Sequence, residues 1–236
     1  MVNEIQLPRQ IPADGTEMAN LKEMGTPSIP TARESGIHCL TIIGQIEGHM
    51  ALPPHNKTTK YEHVIPQLVA IEESKDIHGL LLILNTVGGD VEAGLAIAEM
   101  ISTMSKPTVS LVLGGVHSIG VPLAVSADCS FVAASATMTI HPIRMTGMVV
   151  GIPQTFEYLS RMQDRVIDFI VGHSKVSREK LKELLIGTSG LSSDVGTVLI
   201  GEEAVKYGII DYVGGVKEAL AMLKLLIEKN RGQDLS

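Results

Sequence analysis

The stretch GLLLILNTVGGDVEAGLAIAEMISTM, residues 79–104, combines an apolar strand, a glycine turn and a helix. Residues 80–84 are continuously apolar, which is typical of a short strand that is buried on both faces. After the pair Gly88 and Gly89, small and apolar residues continue with helical spacing over about 90–104. A strand that turns directly into a helix predicts a right-handed βαβ unit and a parallel sheet.

A second junction of the same kind follows further along the chain. The apolar run TVSLVL (108–113) enters GGVHSIG (114–120), and a short helix of small residues over about 118–127 is predicted next. This pattern places Ser118 among glycines where a strand ends, which is where sites form in open α/β sheets. On spacing alone, Ser118 is either a nucleophile or a small residue in a tight turn.

The rest of the chain continues the alternation of strands and helices. Residues 1–36 contain four prolines and many polar residues, which predicts an extended or mobile arm before a single domain over 37–236. The further predicted strands are 39–46, 130–134, 137–141 and 209–213, and the further predicted helices are 61–74, 155–174, 177–185, 201–208 and 216–230. Residues 51–60 are expected to form a loop. The fold class is therefore α/β with a largely parallel sheet.

Composition excludes several classes of function. The formal net charge of −7 and an aromatic content of 3% argue against a nucleic-acid partner. No apolar run reaches the 18 or so residues of a membrane helix. Two cysteines, Cys39 and Cys129, fit a reduced cytoplasmic protein and show no zinc-binding spacing. No metal or cofactor is expected.

The two glycine turns suggest acyl-transfer chemistry, provided that a base is present. The backbone N–H groups of Gly89 and Ile119 are placed to form an oxyanion hole beside the Ser118 hydroxyl. His141, at the end of the predicted strand ATMTIH, is the best-placed general base. His117 is less suitable because neighbouring side chains diverge, and Lys106 is the lysine that would serve a Ser-Lys dyad. The alternative is that the glycines only form turns and His141 is structural.

Two other motif-based interpretations are disfavoured. In GGDVEAG a dinucleotide fingerprint beginning at Gly89 has Val91 where its second glycine belongs, although Gly94 fits the third. An α/β-hydrolase elbow, G-x-S-x-G, is not formed around Ser118 because the preceding glycine, Gly115, is three residues away.

Taken together, five stretches resemble the proteolytic subunit family of Clp protease, and in particular its translocation-enhancing branch. The stretches are GQIEGHM, LILNTVGGDVEAGLAIAEMI, GGVHSIGVPLAVSAD, TMTIHP and GEEAVKYGIID, in the family's order across about residues 37–220. The resemblance implies a ClpP/crotonase-like spiral of ββα units. It also implies a protruding handle helix, with the handle over about 143–175.

The resemblance implies a role for each matching residue. Ser118 matches the nucleophile, His141 the general base, and Gly89 and Ile119 the two oxyanion-hole amides. The position of the family's third triad member, an aspartate, falls on Gly196. The nearest acid is Asp194, which either partners His141 after a local shift or is a solvated loop residue. The segment 143–153 also departs from the family's glycine-rich strand that binds peptide.

The implied function is an ATP-independent peptidase core that cleaves unfolded chains inside a chamber. Family members form stacked heptameric rings, so a cytoplasmic homo-oligomer is expected, with an AAA+ unfoldase as a candidate partner. The arm does not match the family's entrance loops. Three alternatives stay open: a catalytically weak or inactive assembly that acts as a binding module, a crotonase-like acyl-CoA enzyme, and a Ser-Lys peptidase.

Overall fold

A computed structural model of the chain describes residues 36–145, 151–187 and 196–233. The predicted arm over 1–36 lies outside these residues except for Gly36, so the arm and its boundary stay predictions. The backbone oxygen of Gly36 accepts a hydrogen bond from the His78 N–H at 2.6 Å, next to the start of the first strand.

Strands and helices alternate along the described residues as the apolar patterns predict. The strands are β1 Ile37–Glu47, β2 Thr58–Lys60, β3 Gly79–Gly89, β4 Thr108–His117, β5 Cys129–Val132, β6 Thr137–Ile140, β7 Thr197–Ile200 and β8 Tyr212–Val213. The helices are α1 Tyr61–Glu73, α2 Val91–Ser102, α3 Gly120–Val125, α4 Ile152–Gly172, α5 Arg178–Ile186, α6 Glu202–Lys206 and α7 Val216–Gln233.

Within the described ranges these strands form one mixed sheet. The order β2-β1-β3-β4-β5-β8 is parallel throughout, and β6 pairs in parallel with β4 and antiparallel with β7. The predicted α/β class is therefore confirmed. Parallel strands require crossover connections. Helices α2 and α3 supply those from β3 to β4 and from β4 to β5, whereas residues 48–57 join β1 to β2 without a helix.

Helices cover the sheet on both faces, which explains the unbroken apolar run at the start of β3. Leu80, Leu82 and Leu84 are fully buried in the larger core, with α1, α2 and α3. Leu81 faces the opposite side and packs in a smaller core with Leu223 of α7. Side chains alternate between the two faces of a strand, so each face needs its own apolar set.

Strand β4 changes its partner before it ends, and this change directs the chain toward Ser118. Its first half pairs with β5 up to Val112, whereas Gly115 to His117 pair with β6. Between them the register with β3 shifts, Gly114 has φ +79°, and the Asn85 side chain accepts a hydrogen bond from the Gly115 N–H at 3.1 Å. Such irregularities bend a strand and re-aim its end.

Three local features of the structure differ from the sequence pattern. The loop predicted over 51–60 ends in β2, which adds a short edge strand beside β1. Strand β7 has no counterpart in the sequence pattern, because it is four residues long and forms only by pairing with β6 across a long sequence separation. Helix α4 begins at Ile152, before the predicted start at residue 155, and Pro153 lies in its first turn, where the missing N–H is tolerated. Residues 141–145 form no strand.

Candidate active site

Ser118 occupies an unusual backbone conformation between β4 and α3. Its φ is +56°, and it is the one non-glycine residue of the described chain with positive φ. Its N–H donates to the Thr139 oxygen on β6 at 2.9 Å, and its own oxygen accepts from the Val121 N–H at 3.0 Å. Left-handed backbone at a non-glycine residue is strained and concentrates at functional sites.

The turn after β3 lies directly against Ser118. A Cβ added to Gly88, which has φ +85°, would lie 2.8 Å from the Ser118 Cβ and 2.7 Å from the His117 oxygen. A Cβ added to Gly89, φ +151°, would lie 2.1 Å from the Ile46 oxygen of β1. Both positions therefore require glycine, because the two backbones approach more closely than any side chain allows.

Ile119 follows Ser118 with a free backbone amide and a buried side chain. Among the described residues no acceptor contacts its N–H, whose nitrogen lies 3.4 Å from the place of a Gly88 Cβ. Its side chain is 2% exposed and packs on Gly94 of α2, where a Cβ would lie 2.5 Å from it. Gly94 thus serves helix packing, and the amide of Ile119 stays beside the nucleophile turn.

His141 comes directly after β6, at the same end of the sheet as Ser118. It lies two residues beyond Thr139, whose oxygen receives the Ser118 N–H. Its Nδ1 is 2.7 Å from the Pro142 oxygen. A carbonyl oxygen only accepts hydrogen bonds, so Nδ1 is the donor, and in the neutral ring Nε2 is then the acceptor. This is the tautomer that a general base needs.

The Ser118 hydroxyl and the His141 imidazole are not hydrogen-bonded to each other in this structure. Within the described ranges the Ser118 Oγ has no hydrogen-bond partner. Nucleophile–base hydrogen bonds are often long in structures without substrate and shorten in the reacting complex. The arrangement therefore places a candidate nucleophile and a candidate base after two paired strands, β4 and β6, without a hydrogen bond between them.

Gly196 lies beside His141, where the resemblance places the third triad member. A Cβ on Gly196, φ +130°, would lie 2.7 Å from the His141 Cβ and 2.6 Å from the Ile140 oxygen. The Gly196 N–H donates to the Gly187 oxygen at 2.8 Å. The base is thus flanked by bare backbone at this position. The candidate acid Asp194 lies outside the described residues, and its role stays a prediction.

A second imidazole lies close to the first. His117 is the last residue of β4, and its Nε2 lies 2.5 Å from the place of a Gly115 Cβ, so the ring occupies the space above that glycine. Burial lowers the pKa of His117 below its usual value, and the charge of nearby His141 lowers it further. The charged form of His117 is therefore disfavoured beside the candidate base.

Lys106 does not belong to this site, so a Ser-Lys dyad built on this lysine is wrong. Its ammonium donates to the oxygen of Ile71 at 2.5 Å and to that of Ser74, at the end of α1. It precedes β4, whereas Ser118 follows β4, and a strand rises about 3.3 Å per residue. The two residues are therefore separated by most of a ten-residue strand.

Two open clefts of the described surface lie elsewhere. One of about 490 Å³ is lined by α6 and β8, and one of about 470 Å³ lies between α2 and α4, where Arg165 binds Glu92 with distances of 2.7 and 3.2 Å.

In the part of the chain that the structure describes, no three His, Cys, Asp or Glu side chains are grouped as metal ligands. No helix there is both long enough and apolar enough to cross a membrane.

Comparison with known proteins places these features in a family. The translocation-enhancing protein TepA of Halalkalibacterium halodurans is 63% identical over 211 residues, which cover 89% of this chain and 82% of that protein. The ATP-dependent Clp protease proteolytic subunit of Streptococcus thermophilus is 26% identical over 183 residues, covering 74% and 83%. The corresponding subunit 1 of Chlamydia muridarum is 25% identical over 153 residues, covering 62% and 76%. The Clp protease family profile matches residues 34–217, and this chain belongs to that family.

Proposed function

We propose that this chain is a serine endopeptidase that hydrolyses peptide bonds of unfolded polypeptides. The observation that carries the proposal is the strained backbone of Ser118, packed between the bare backbone of Gly88 and the Thr139 carbonyl on the strand that leads to His141. If residue 118 only had to form a turn with φ +56°, a glycine would adopt that conformation without strain. A serine held there at a cost in strain therefore favours a role for its hydroxyl.

The mechanism follows from the placement of four groups. His141 Nε2 takes the Ser118 proton as the hydroxyl oxygen attacks the peptide carbonyl carbon. The N–H groups of Gly89 and Ile119 donate to the oxyanion that forms. His141 then protonates the leaving amine, and a water molecule, deprotonated by His141, releases the acyl group and restores Ser118.

Two groups compete to orient the base. The Pro142 carbonyl holds the Nδ1 proton of His141 in the described structure. Asp194 is the candidate acid for a third position, two residues before Gly196. A neutral carbonyl sets the tautomer but stabilises the imidazolium less than a carboxylate does, so the Pro142 arrangement predicts a slower enzyme than a full triad.

Assembly into rings that enclose the site completes the proposal. The long helix α4 corresponds to the predicted handle and exposes large apolar side chains, namely Ile152, Phe156 and Tyr158. Exposed apolar groups of this size favour burial against another subunit. We infer a cytoplasmic homo-oligomer of stacked heptamers, which admits unfolded chains and accepts them from an AAA+ unfoldase.

Labelling with a fluorophosphonate at neutral pH, followed by peptide mapping, tests the nucleophile. The probe should modify Ser118, and Ser118→Ala should lose both labelling and peptidase turnover while the oligomer, measured by light scattering, is unchanged. Label on another residue, or turnover retained by Ser118→Ala, would refute the assignment.

A second candidate function is a non-catalytic binding assembly, which Gly196 favours because it leaves the family's acid position without a carboxylate. This candidate predicts an assembled protein that binds unfolded chains, is not labelled, and gains no labelling when a candidate unfoldase is added. A crotonase-like acyl-CoA enzyme would instead bind a CoA thioester and resist the fluorophosphonate.

A further inference from the structure

We propose that Thr86 is a positioning residue that sets the distance between the two halves of the oxyanion hole. The inference rests on the proposed function, because it concerns the Gly89 and Ile119 amides as oxyanion donors. Thr86 lies in β3, three residues before Gly89, and is 1% exposed. Its side chain reaches the backbone at three points, on β1, on the glycine turn and on α3.

The hydroxyl of Thr86 joins β1 to the glycine turn. Its Oγ1 donates to the Gly44 oxygen at 2.6 Å and accepts from the Gly88 N–H at 3.1 Å. The Gly88 amide is buried, so this hydrogen bond replaces one that water would otherwise provide. The Val87–Gly88 peptide, which leads into the Gly89 amide, is therefore held by a side chain as well as by pairing with β1.

The methyl group of Thr86 contacts the other half of the site. A Cβ added to Gly120 would lie 2.7 Å from the Thr86 Cγ2, so this methyl packs directly on the first residue of α3. Gly120 follows Ile119, whose amide is the second proposed donor. One buried side chain thus touches the backbone next to both donors.

The regular sheet pairing is interrupted where Thr86 acts. The register of β1 on β3 shifts between Gly44 and Gln45, and the register of β3 on β4 shifts between Leu84 and Thr86. Ladder hydrogen bonds are disrupted at such irregularities. Thr86 replaces them with its own contacts and holds the re-aimed strand end in one place.

Two substitutions separate the hydroxyl from the methyl group. Thr86→Val keeps the shape but removes both hydrogen bonds, and Thr86→Ser keeps the hydroxyl. We expect Thr86→Val to lower kcat for peptide hydrolysis about 10–100-fold with KM changed less than about twofold, because a displacement near 1 Å costs ~10²-fold and loss of one oxyanion donor ~10²–10³-fold. Thr86→Ser should stay within about threefold of wild type, as a smaller loss than removal of a donor.

The matched control is Thr108→Val. Thr108 is another buried strand threonine, 2% exposed, whose hydroxyl donates to Asp128 at 3.0 Å and accepts from the Asp128 N–H at 2.9 Å. It lies at the start of β4, at the opposite end from Ser118. The Thr108→Val variant should lower thermal stability in the same way as Thr86→Val. Its kcat should stay within about twofold of wild type, since Thr108 is remote from the oxyanion donors.

A tetrahedral transition-state analogue gives the readout that a purely structural role would not move. Affinity for a peptide boronic acid should fall with kcat in Thr86→Val, while KM for the peptide does not. The inference would be overturned if Thr86→Val kept wild-type kcat and boronate affinity, or if Thr86→Val and Thr108→Val lost activity equally. In either case, labelling of the wild-type protein at Ser118 would leave the peptidase proposal standing. A wild-type oligomer that is never labelled overturns both.

Discussion

The turn that carries Ser118 and the strand end that carries His141 are held by different kinds of contact. Ser118 is enclosed by glycine backbones, a strand hydrogen bond to Thr139 and the side chain of Thr86 nearby. His141 follows a four-residue strand, and its ring is bonded only to the carbonyl of the next residue in the part of the chain described here.

Under the proposed function, this difference predicts which half limits activity. The turn that carries Ser118 is fixed by several contacts: the close approach of Gly88, the backbone hydrogen bond to Thr139, and the hydrogen bond from Gly88 to Thr86. Among the residues that the structure describes, the His141 ring has one short-range hydrogen bond, and position 196 carries no acid. Rate enhancement in a serine peptidase depends on both halves, so we expect the base half to set the turnover of this protein.

Loss of the base should have the largest effect. His141→Gln removes the proton acceptor and should lower kcat about 10²–10⁴-fold, the usual contribution of a general base. The matched control is His173→Gln, since the His173 Nδ1 also binds a backbone oxygen, that of Phe169 at 2.8 Å, at the end of α4. Peptide hydrolysis measures both variants. An equal loss in the two would assign His141 a structural role.

Disturbing the nucleophile half should have the next largest effect. Gly88→Ala places a methyl group 2.8 Å from the Ser118 Cβ at a residue with φ +85° and should slow fluorophosphonate labelling about 100-fold, as expected for a displacement near 1 Å. Gly172→Ala is the control, because no atom lies within 4 Å of the added Cβ. Unchanged labelling in Gly88→Ala would show that the turn is looser than these contacts indicate.

The candidate acid provides a sharper test of the base half. If Pro142 holds the imidazole, Asp194→Asn should lower kcat less than about tenfold, whereas a carboxylate that fixes the tautomer contributes ~10⁴-fold in the trypsin-type triad. A loss of that larger size would therefore show that Asp194 reaches His141 in the reacting complex and that the site is a full triad. Asp194→Glu should then restore part of the activity.

The smallest expected effect is on stability at mildly acidic pH. Burial lowers the pKa of His117 from its usual 6.5 in the folded state, with a further contribution from His141. The unfolded chain therefore binds more protons below about pH 6.5, and the free energy of unfolding falls as the pH is lowered through that range. The loss in free energy of unfolding should stay below about 1 kcal/mol. Even a full tenfold change in the proton affinity of the ring corresponds to only about 1.4 kcal/mol, and solvent screens the half-buried ring.

Urea unfolding of wild type and His117→Asn between about pH 7.5 and 5 measures this effect. The substitution should flatten the pH dependence, and His38→Asn should flatten it too, since burial also lowers the pKa of His38. A pH dependence that is identical in wild type and His117→Asn would contradict the lowered pKa of His117 in the folded state.

Much of the fold was predictable because its signals are local. The apolar run before Gly88 and the small-residue helix after it predict β3 and α2, although β3 continues through the glycine turn to Gly89, beyond the predicted end at residue 84. Strand β4 and the position of Ser118 after it follow in the same way. Strand β7 could not be predicted because four residues carry too little pattern, and it forms only against β6.

The sequence alone predicts the order of strands and helices, the two glycine turns and the candidates for nucleophile and base. Periodicity and turn chemistry act over only a few residues, so they can be read without the fold. Three contacts follow only from the folded chain: Thr86 binds Gly44, 42 residues away, Gly196 lies against His141, and Lys106 caps α1. These contacts join segments distant in the chain, and no local pattern encodes which segments meet. Packing of the sheet brings them together, and that packing holds the nucleophile more firmly than the base.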